Sequence, residues 1–210
     1  YGDSYFSTTS AELSNRRPYD TYEQLNASLG LKASPYPSIW FQLFGGYQNL
    51  KNDLLYSYSS LSDTSIGTVS TMLAFTQIHT DNVYAGIKLT YDYKDVLSLS
   101  AHYIYRNWNS DNNEYLLAVK PENEASISLN VHPTSALQLN AGFDYISRKE
   151  EATSFNMSDI SDLHIGASYN VFKGVSVYAQ VHNLLNKKYQ YYLGYPAEGF
   201  NFLGGLSFRF

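Results

Sequence analysis

Two histidines stand on either side of a short turn in this 210-residue sequence and could act together. The turn reads FKG (172–174), and a hairpin symmetric about Lys173 places His164 directly opposite His182. Side chains opposed across an antiparallel pair have Cβ atoms about 5 Å apart, and imidazoles bind transition metals or titrate near neutral pH. The polar surroundings favour two hydrated histidines instead, because no third ligand is visible. We therefore predict no cofactor and keep the pair as a candidate metal site.

Two polar, aromatic segments carry the candidate ligand-binding residues. One reads NWNSDNNEYLL (107–117) and the other NKKYQYYLGYPAEG (186–199). Aromatic faces beside amides and carboxylates suit sugars or flat chelates, and loops on a rigid scaffold commonly carry binding residues. The alternative is that these aromatics only stabilise their own loops. The predicted ligand-binding residues are Trp108, Asn112, Tyr115, Tyr191 and Tyr192.

No catalytic residue is predicted. The sequence has no GxSxG elbow, HExxH helix, Walker loop or Rossmann glycine pattern. Hairpin symmetry instead predicts polar pairs on one face, which would order water rather than perform bond chemistry. The expected pairs are Lys88 with His102 or Ser100, Glu124 with Asp144, and Lys120 with Arg148. We therefore expect a protein that is not an enzyme, with a membrane-bound hydrolase as the alternative.

The elements that must position these residues are β-strands. VYAGIKLTYDY (83–93) and LSLSAHYIYR (97–106) alternate apolar and polar residues, and about eleven such runs follow one another. Period-two alternation indicates strands with two different faces. Runs of about 10 residues, joined alternately by short turns and long loops, are typical of membrane β-barrels. The segment 49–82 fits this scheme only if 54–61 is a strand and SDTSIG (62–67) a turn.

The aromatic residues distinguish a membrane barrel from a soluble β-sandwich, which shows the same alternation. On the apolar face, aliphatic residues occupy the middle of the runs and aromatic residues the ends. Tyr103 and Tyr105 end one run, and the last run, NFLGGLSFRF (201–210), begins with Phe202 and ends with Phe208 and Phe210. Two aromatic belts flanking an aliphatic band fit a bilayer with two interfaces. Because lipid cannot satisfy free backbone groups, such a sheet must close.

Composition agrees with this interpretation. The net charge is −5 and the basic residues are scattered, which argues against nucleic-acid binding. There are no cysteines, so disulfides and thiolate metal sites are excluded. The 21 Tyr and 11 Phe suit surfaces where one end of a side chain meets lipid and the other meets water.

Four motifs follow one another in the C-terminal stretch: NLLNKKY (183–189), GYP (194–196), EG (198–199) and GGLSFRF (204–210). Together they resemble the end of TonB-dependent outer-membrane receptors. The resemblance implies an importer of scarce solutes such as iron chelates, corrinoids or glycans. It also implies a barrel of about 22 strands around a plug domain, and an assembly machinery that recognises a final strand closed by Phe208 and Phe210.

These observations predict an all-β, antiparallel transmembrane β-barrel with about 10–12 strands present, as part of a larger barrel. We expect one barrel domain over 1–210, in which 1–20 form a loop or partial strand and 21–210 form barrel strands, without the plug domain. The expected partners are outer-membrane lipid, the barrel assembly machinery, a TonB-type energy transducer and a small-molecule or glycan ligand. A complete small barrel acting as a passive pore and a soluble all-β binding module are the alternatives.

Overall fold

A computed structural model describes residues 23–63, 68–110, 117, 120–148, 157–192 and 195–209, with the backbone alone at 54–63, 68–76 and 192. Nearly all of these residues lie in antiparallel strands. Within the described ranges, no helix is long and apolar enough to cross a membrane. The prediction of an all-β antiparallel fold is therefore confirmed.

Nine strands form one sheet in the described part of the chain, in the order β1-β2-β3-β4-β5-β6-β7-β8-β11, and two short strands pair separately. Every sheet neighbour but the last is also the sequence neighbour, as in an up-and-down barrel wall. The strands are β1 (Glu23–Tyr36), β2 (Ile39–Asp63), β3 (Thr68–Tyr93), β4 (Leu97–Ser110), β5 (Pro121–Val131), β6 (Leu137–Arg148), β7 (Ile160–Phe172), β8 (Val175–His182), β9 (Gln190–Tyr192), β10 (Tyr195–Pro196) and β11 (Asn201–Phe208).

The connections differ at the two ends of the sheet. At one end, here called the turn end, successive strands are joined by two to five residues: 37–38, 94–96, 132–136 and 173–174. Lys94 (φ 50°) and Gly174 (φ 82°) take the left-handed conformation that such tight turns need. The connections at the opposite end, the loop end, are longer, except in the β2–β3 hairpin. The alternation of short and long connections predicted from the sequence is thus present.

The β2–β3 hairpin extends well beyond its neighbours at the loop end. Its ladder continues for eleven paired positions, from Asp53 opposite Ile78 to Asp63 opposite Thr68. At about 3.3 Å per residue this ribbon is roughly 35 Å long. A bulge separates it from the sheet proper, and Asn52 at that bulge has a φ of 57°. The segment 54–61 is therefore strand, as expected, but it continues β2 instead of forming a separate strand.

Register follows the sequence wherever the turn is short. Ile165 lies opposite Val181, so the hairpin is centred on Lys173 as predicted, and Lys88 lies opposite His102. Two predicted pairs are wrong, namely Glu124 with Asp144 and Lys120 with Arg148. Glu124 lies opposite Ile146 because the five-residue turn 132–136 centres its hairpin one residue later than symmetry assumed. Asp144 therefore lies opposite Ser126, two residues from Glu124, and Arg148 lies opposite Pro121 because a bulge shifts the register there.

Candidate functional site

The apolar face of the sheet points outward and is not covered. Leu29 is 81% exposed and Phe202 is 64% exposed, and the exposed face continues through Leu43, Ile87 and Ile127 on the intervening strands. A soluble sandwich would bury this face against a second sheet. Here the large exposed side chains form one continuous apolar surface, which marks contact with lipid or with another protein.

A row of tyrosines ends this apolar surface toward the loops. Tyr103 donates its hydroxyl proton to Asn123 Oδ1 at 2.6 Å, and Tyr145 donates to Asp159 Oδ2 at 2.9 Å. Tyr47 makes the same kind of hydrogen bond to Asp81. In each pair the ring belongs to the apolar band and the hydroxyl meets a polar residue nearer the loops. This is the arrangement expected where hydrocarbon gives way to water.

The opposite face is polar across the sheet and is here called the inner wall. One row crosses six strands at a single level, and adjacent members face each other in the ladder: Gln42, Lys88, His102, Ser126, Asp144 and Asp162. Arg106 Nη1 lies 2.8 Å from Glu124 Oε2, and His102 Nε2 lies 3.7 Å from Glu124 Oε1. A wall of mixed charge and amides can hydrate or guide a polar solute.

Trp108 anchors the loop between β4 and β5 on the inner wall. Its ring packs against a small cluster formed by Ile78 and Leu117, and Leu117 is 0% exposed. The indole N–H donates to Pro121 O at 2.8 Å, and Lys120 Nζ lies 4.8 Å from the ring centroid. The ring therefore already has one edge and one face engaged by its own loop.

Lys120 fixes the same loop to the base of the β2–β3 ribbon. Its ammonium lies 2.5 Å from Asp53 Oδ2, and both side chains are largely buried. Thr80, which has no exposed surface, donates its hydroxyl proton to the same carboxylate oxygen at 3.2 Å. A buried charge that is paired and hydrogen-bonded avoids most of the desolvation penalty. Lys120 thus joins the β4–β5 connection to the base of the β2–β3 ribbon instead of meeting Arg148.

Arg148 holds two other loops together. This largely buried guanidinium donates from Nη1 to Ser158 O at 3.0 Å, and from Nη2 to Gln190 O and Tyr191 O at 3.1 and 3.2 Å. The three carbonyls come from the loop before β7 and from β9, so one planar fork bridges both. The candidate residue Tyr191 is therefore fixed through its own backbone.

Tyr189 precedes the two residues whose carbonyls bind Arg148, and its side chain is buried. It is 5% exposed, packs edge-to-face on Tyr191 with ring centroids 5.4 Å apart, and donates to Asp162 Oδ2 at 3.2 Å. Burial, followed by the hydrogen bond with Tyr191, raises the pKa of the Tyr189 phenol well above its usual value. The neutral phenol is consequently the form that the folded loop requires.

Asn183 explains the NLLNKKY motif structurally. It is 2% exposed and has a φ of 46°, a left-handed conformation that Asn tolerates better than most residues. Its Nδ2 donates to Lys187 O and Glu198 O at 2.8 and 3.1 Å, and its Oδ1 accepts from Lys187 N at 2.9 Å. Its own backbone N–H donates to Asp162 Oδ1 at 2.8 Å. One side chain therefore closes the turn after β8 and attaches it to the segment before β11.

The two predicted histidines meet on the inner wall. The rings of His164 and His182 are stacked, with centroids 5.7 Å apart and planes at 25°. His164 Nδ1 lies 3.8 Å from Asp144 Oδ2. The residue opposite His164 is Gly142, and a Cβ at that position would lie 2.3 Å from His164 Nε2. The absence of a side chain at Gly142 thus lets the His164 ring lie flat across β6.

The remaining candidates are only partly described. Asn112, Tyr115 and Phe210 lie outside the described residues, and only the backbone of Tyr192 is described. Phe208 is 58% exposed and ends the ladder opposite Val175. Their predicted roles in ligand binding and assembly stay predictions. Sequence reasoning did not identify Asn183 or Arg148 as anchors, although the paired asparagines of NLLN were a signal for left-handed turn positions.

Comparison with solved structures identifies the class of fold. OprC, a copper transporter, aligns with 90% of this chain at 15% identity and a TM-score of 0.68. The ferric-catecholate import receptor Fiu of E. coli K12 aligns with 97% at 15% identity and a TM-score of 0.62. The ferripyoverdine receptor of the outer membrane of Pseudomonas aeruginosa aligns with 93% at 14% identity and a TM-score of 0.63. The fold is that of an outer-membrane β-barrel wall.

More particularly, the fold is shared with TonB-dependent receptors, the group to which these solved proteins belong. The chain spans 28–32% of the length of each of the three, about a third. No family model matches the sequence, and no curated protein matches it. The likeness is therefore structural and low in identity.

Proposed function

We propose that this chain is part of the barrel of an outer-membrane receptor that binds a scarce solute and admits it to the cell. The energy coupling would be of the TonB type and would be supplied by parts outside this chain. The similar solved proteins are described as a copper transporter, a ferric-catecholate import receptor and a ferripyoverdine receptor. Among iron chelates, corrinoids and glycans, that likeness favours a metal chelate.

The observation that carries the proposal is that the apolar face of the sheet is exposed and the polar face forms the inner wall. Its exposed apolar face, bordered by Tyr47, Tyr103 and Tyr145, suits lipid. Its polar face suits a hydrated passage, and the longer connections between its described strands lie at the same end. A soluble binding module would need the opposite arrangement, with the apolar face buried.

Strand direction supports a barrel larger than the described sheet. β1 and β11, the two edge strands, run in the same direction because seven antiparallel strands separate them. Direct pairing of β1 with β11 would therefore be parallel. Closure that stays antiparallel throughout needs an odd number of further strands between them. We infer that such strands and a plug domain belong to the same receptor.

The loop end would face the outside of the cell and bind the ligand. Trp108 and Tyr191 are the described members of the proposed binding set, and Asn112, Tyr115 and Tyr192 complete it. Phe208 and Phe210 would lie at the periplasmic interface, where the barrel assembly machinery would recognise the last strand. Outer-membrane lipid would cover the apolar face.

The test is growth of a deletion strain on limiting nutrients. We expect lost growth on one panel of iron chelates, corrinoids or glycans, with restoration by the intact gene. Uptake should also stop when the inner membrane is de-energised or the TonB-type transducer is deleted. Uptake that is proportional to concentration and insensitive to de-energisation would identify a passive pore and refute the proposal.

A further inference from the structure

We propose that His164 and His182, with Asp144, form a binding site for a divalent transition-metal ion on the inner wall. The proposal goes beyond solute import, because it concerns an ion bound to the barrel wall itself. It rests on the geometry of three adjacent strands and does not depend on the identity of any imported ligand. Of the common divalent ions, Cu²⁺ should bind most tightly to such imidazole donors.

The two rings are close enough for one ion after a small rotation. Their centroids are 5.7 Å apart, whereas two imidazole nitrogens that share an ion at about 2.0–2.1 Å lie no more than about 4 Å apart. Neither His164 nor His182 makes a hydrogen bond or short ion pair with its ring within the described ranges, the 3.8 Å approach of Asp144 apart. Rotation of the His182 ring therefore breaks no hydrogen bond to a described residue.

Asp144 is placed to supply the third donor. The 3.8 Å between His164 Nδ1 and Asp144 Oδ2 fits an ion lying between the two atoms, each about 2 Å away. Among the described residues no three histidine or carboxylate side chains already converge on one point. The site is thus completed by the movement of His182, with water in the remaining positions.

The charge on this part of the wall also favours a cation. Asp144 lies directly opposite Asp162, and like charges that face each other across strands destabilise the pair. Asp162 is engaged by the Asn183 N–H and by the Tyr189 hydroxyl. Asp144 is nearly half exposed, and His164 is the group within ion-pair distance of it in the described part of the chain. A bound divalent ion would offset the repulsion.

Gly142 gives the site its shape. Because a Cβ there would lie 2.3 Å from His164 Nε2, any larger residue would push the ring away from β6. Gly142→Ala therefore displaces a ligand without removing a donor atom. This substitution therefore tests whether metal binding depends on the position of the His164 ring, while all three donor side chains remain present.

The test is Cu²⁺ binding to the protein purified from membranes in detergent, followed by calorimetry and electron paramagnetic resonance. We expect one bound Cu²⁺ with superhyperfine coupling to two imidazole nitrogens. His164→Gln and His182→Gln should each lower the affinity at least about tenfold, and Asp144→Asn and Gly142→Ala should lower it about tenfold, by analogy with the effects of altered ligand support. The double histidine variant should bind more weakly than either single variant, but by less than the sum of the two single losses in binding free energy, because both ligands contact the same ion.

His102→Gln is the matched control. His102 lies on the same inner wall and next to a carboxylate, Glu124, but the residue opposite it on β3 is Lys88 and not a histidine. This variant should leave Cu²⁺ binding unchanged. Heat-modifiable mobility confirms that each variant is folded. Equal affinity in all variants, or loss through only one of the two histidines, would overturn the shared site. Import can be normal in either case, so failure here is distinguishable from failure of the proposed receptor function.

Discussion

Replacing Asn183 with alanine should release the connection between β8 and β11 while leaving the sheet intact. The substitution removes three side-chain hydrogen bonds, to Lys187 O, Lys187 N and Glu198 O. At about 1 kcal/mol net for each bond, the loss is about 3 kcal/mol. An alanine at a φ of 46° adds about 1 kcal/mol of backbone strain. We therefore expect local opening of this connection to become easier by about 4 kcal/mol.

Hydrogen exchange in detergent measures that opening directly. A change of about 4 kcal/mol corresponds to an increase of almost a thousandfold in the exchange rate of the Lys187 amide. Amides in the middle of β8 should exchange as in the wild type, because their ladder hydrogen bonds to β7 and β11 are unaffected.

Two control variants divide the effect into its parts. Asn183→Gly loses the same three bonds but accepts the left-handed conformation without strain, so its exchange should be about fivefold slower than that of the alanine variant. Asn186→Ala also carries a positive φ, of 48°, but its side chain accepts one hydrogen bond, from Phe200 N, and its effect should be smaller. Wild-type exchange at Lys187 in Asn183→Ala would refute the reasoning.

Three further perturbations test other parts of the structure. Leu43→Arg, on the apolar face, should lower barrel stability in bilayers by about 2–4 kcal/mol, whereas Gln42→Arg, on the inner wall, should be tolerated. Equal urea sensitivity of the two variants would contradict the assignment of the apolar face to lipid. Since the pKa of Tyr189 is raised by burial, its contribution to loop stability should be complete below about pH 10 and lost as pH rises further. The measurement is the tyrosinate absorbance of the wild type minus that of Tyr189→Phe, which should increase only at a pH above the main titration of the other tyrosines. Trp108→Phe loses the hydrogen bond to Pro121 O, so exchange of the Lys120 backbone amide, which donates to Leu117 O, should increase several-fold. Unchanged exchange at Lys120 would contradict the role of Trp108 as an anchor.

The local sequence pattern was sufficient to predict the two faces of the strands and the register across tight turns. Alternation assigns the outer and inner faces, and the two-residue turn 173–174 determines the register that brings His164 to His182. The five-residue turn 132–136 allows more than one centre, which is why the expected partner of Glu124 was wrong by two residues. Composition does not show a one-residue shift of the turn centre, but such a shift changes the cross-strand partner of every residue in the hairpin.

The loop anchors could not be predicted because their partners are backbone carbonyls far away in the sequence. Arg148 reaches Ser158, Gln190 and Tyr191, and nothing in its own surroundings in the sequence selects those carbonyls. A carbonyl is present at every residue, so its use depends on the tertiary approach of two loops and not on a motif.

The exposed apolar face has a consequence for how the loops are held. Because that face serves as the outer surface, the described sheet has no central core, and its buried side chains gather at the loop end instead. One cluster lies around Leu117, next to the largely buried Lys120, and buried Tyr189 lies in the segment whose carbonyls at Gln190 and Tyr191 accept from the buried Arg148. Buried charges of this kind contribute little net stability compared with apolar packing, but a single misplaced partner is costly. We propose that they select one loop geometry among many of similar hydrophobic burial.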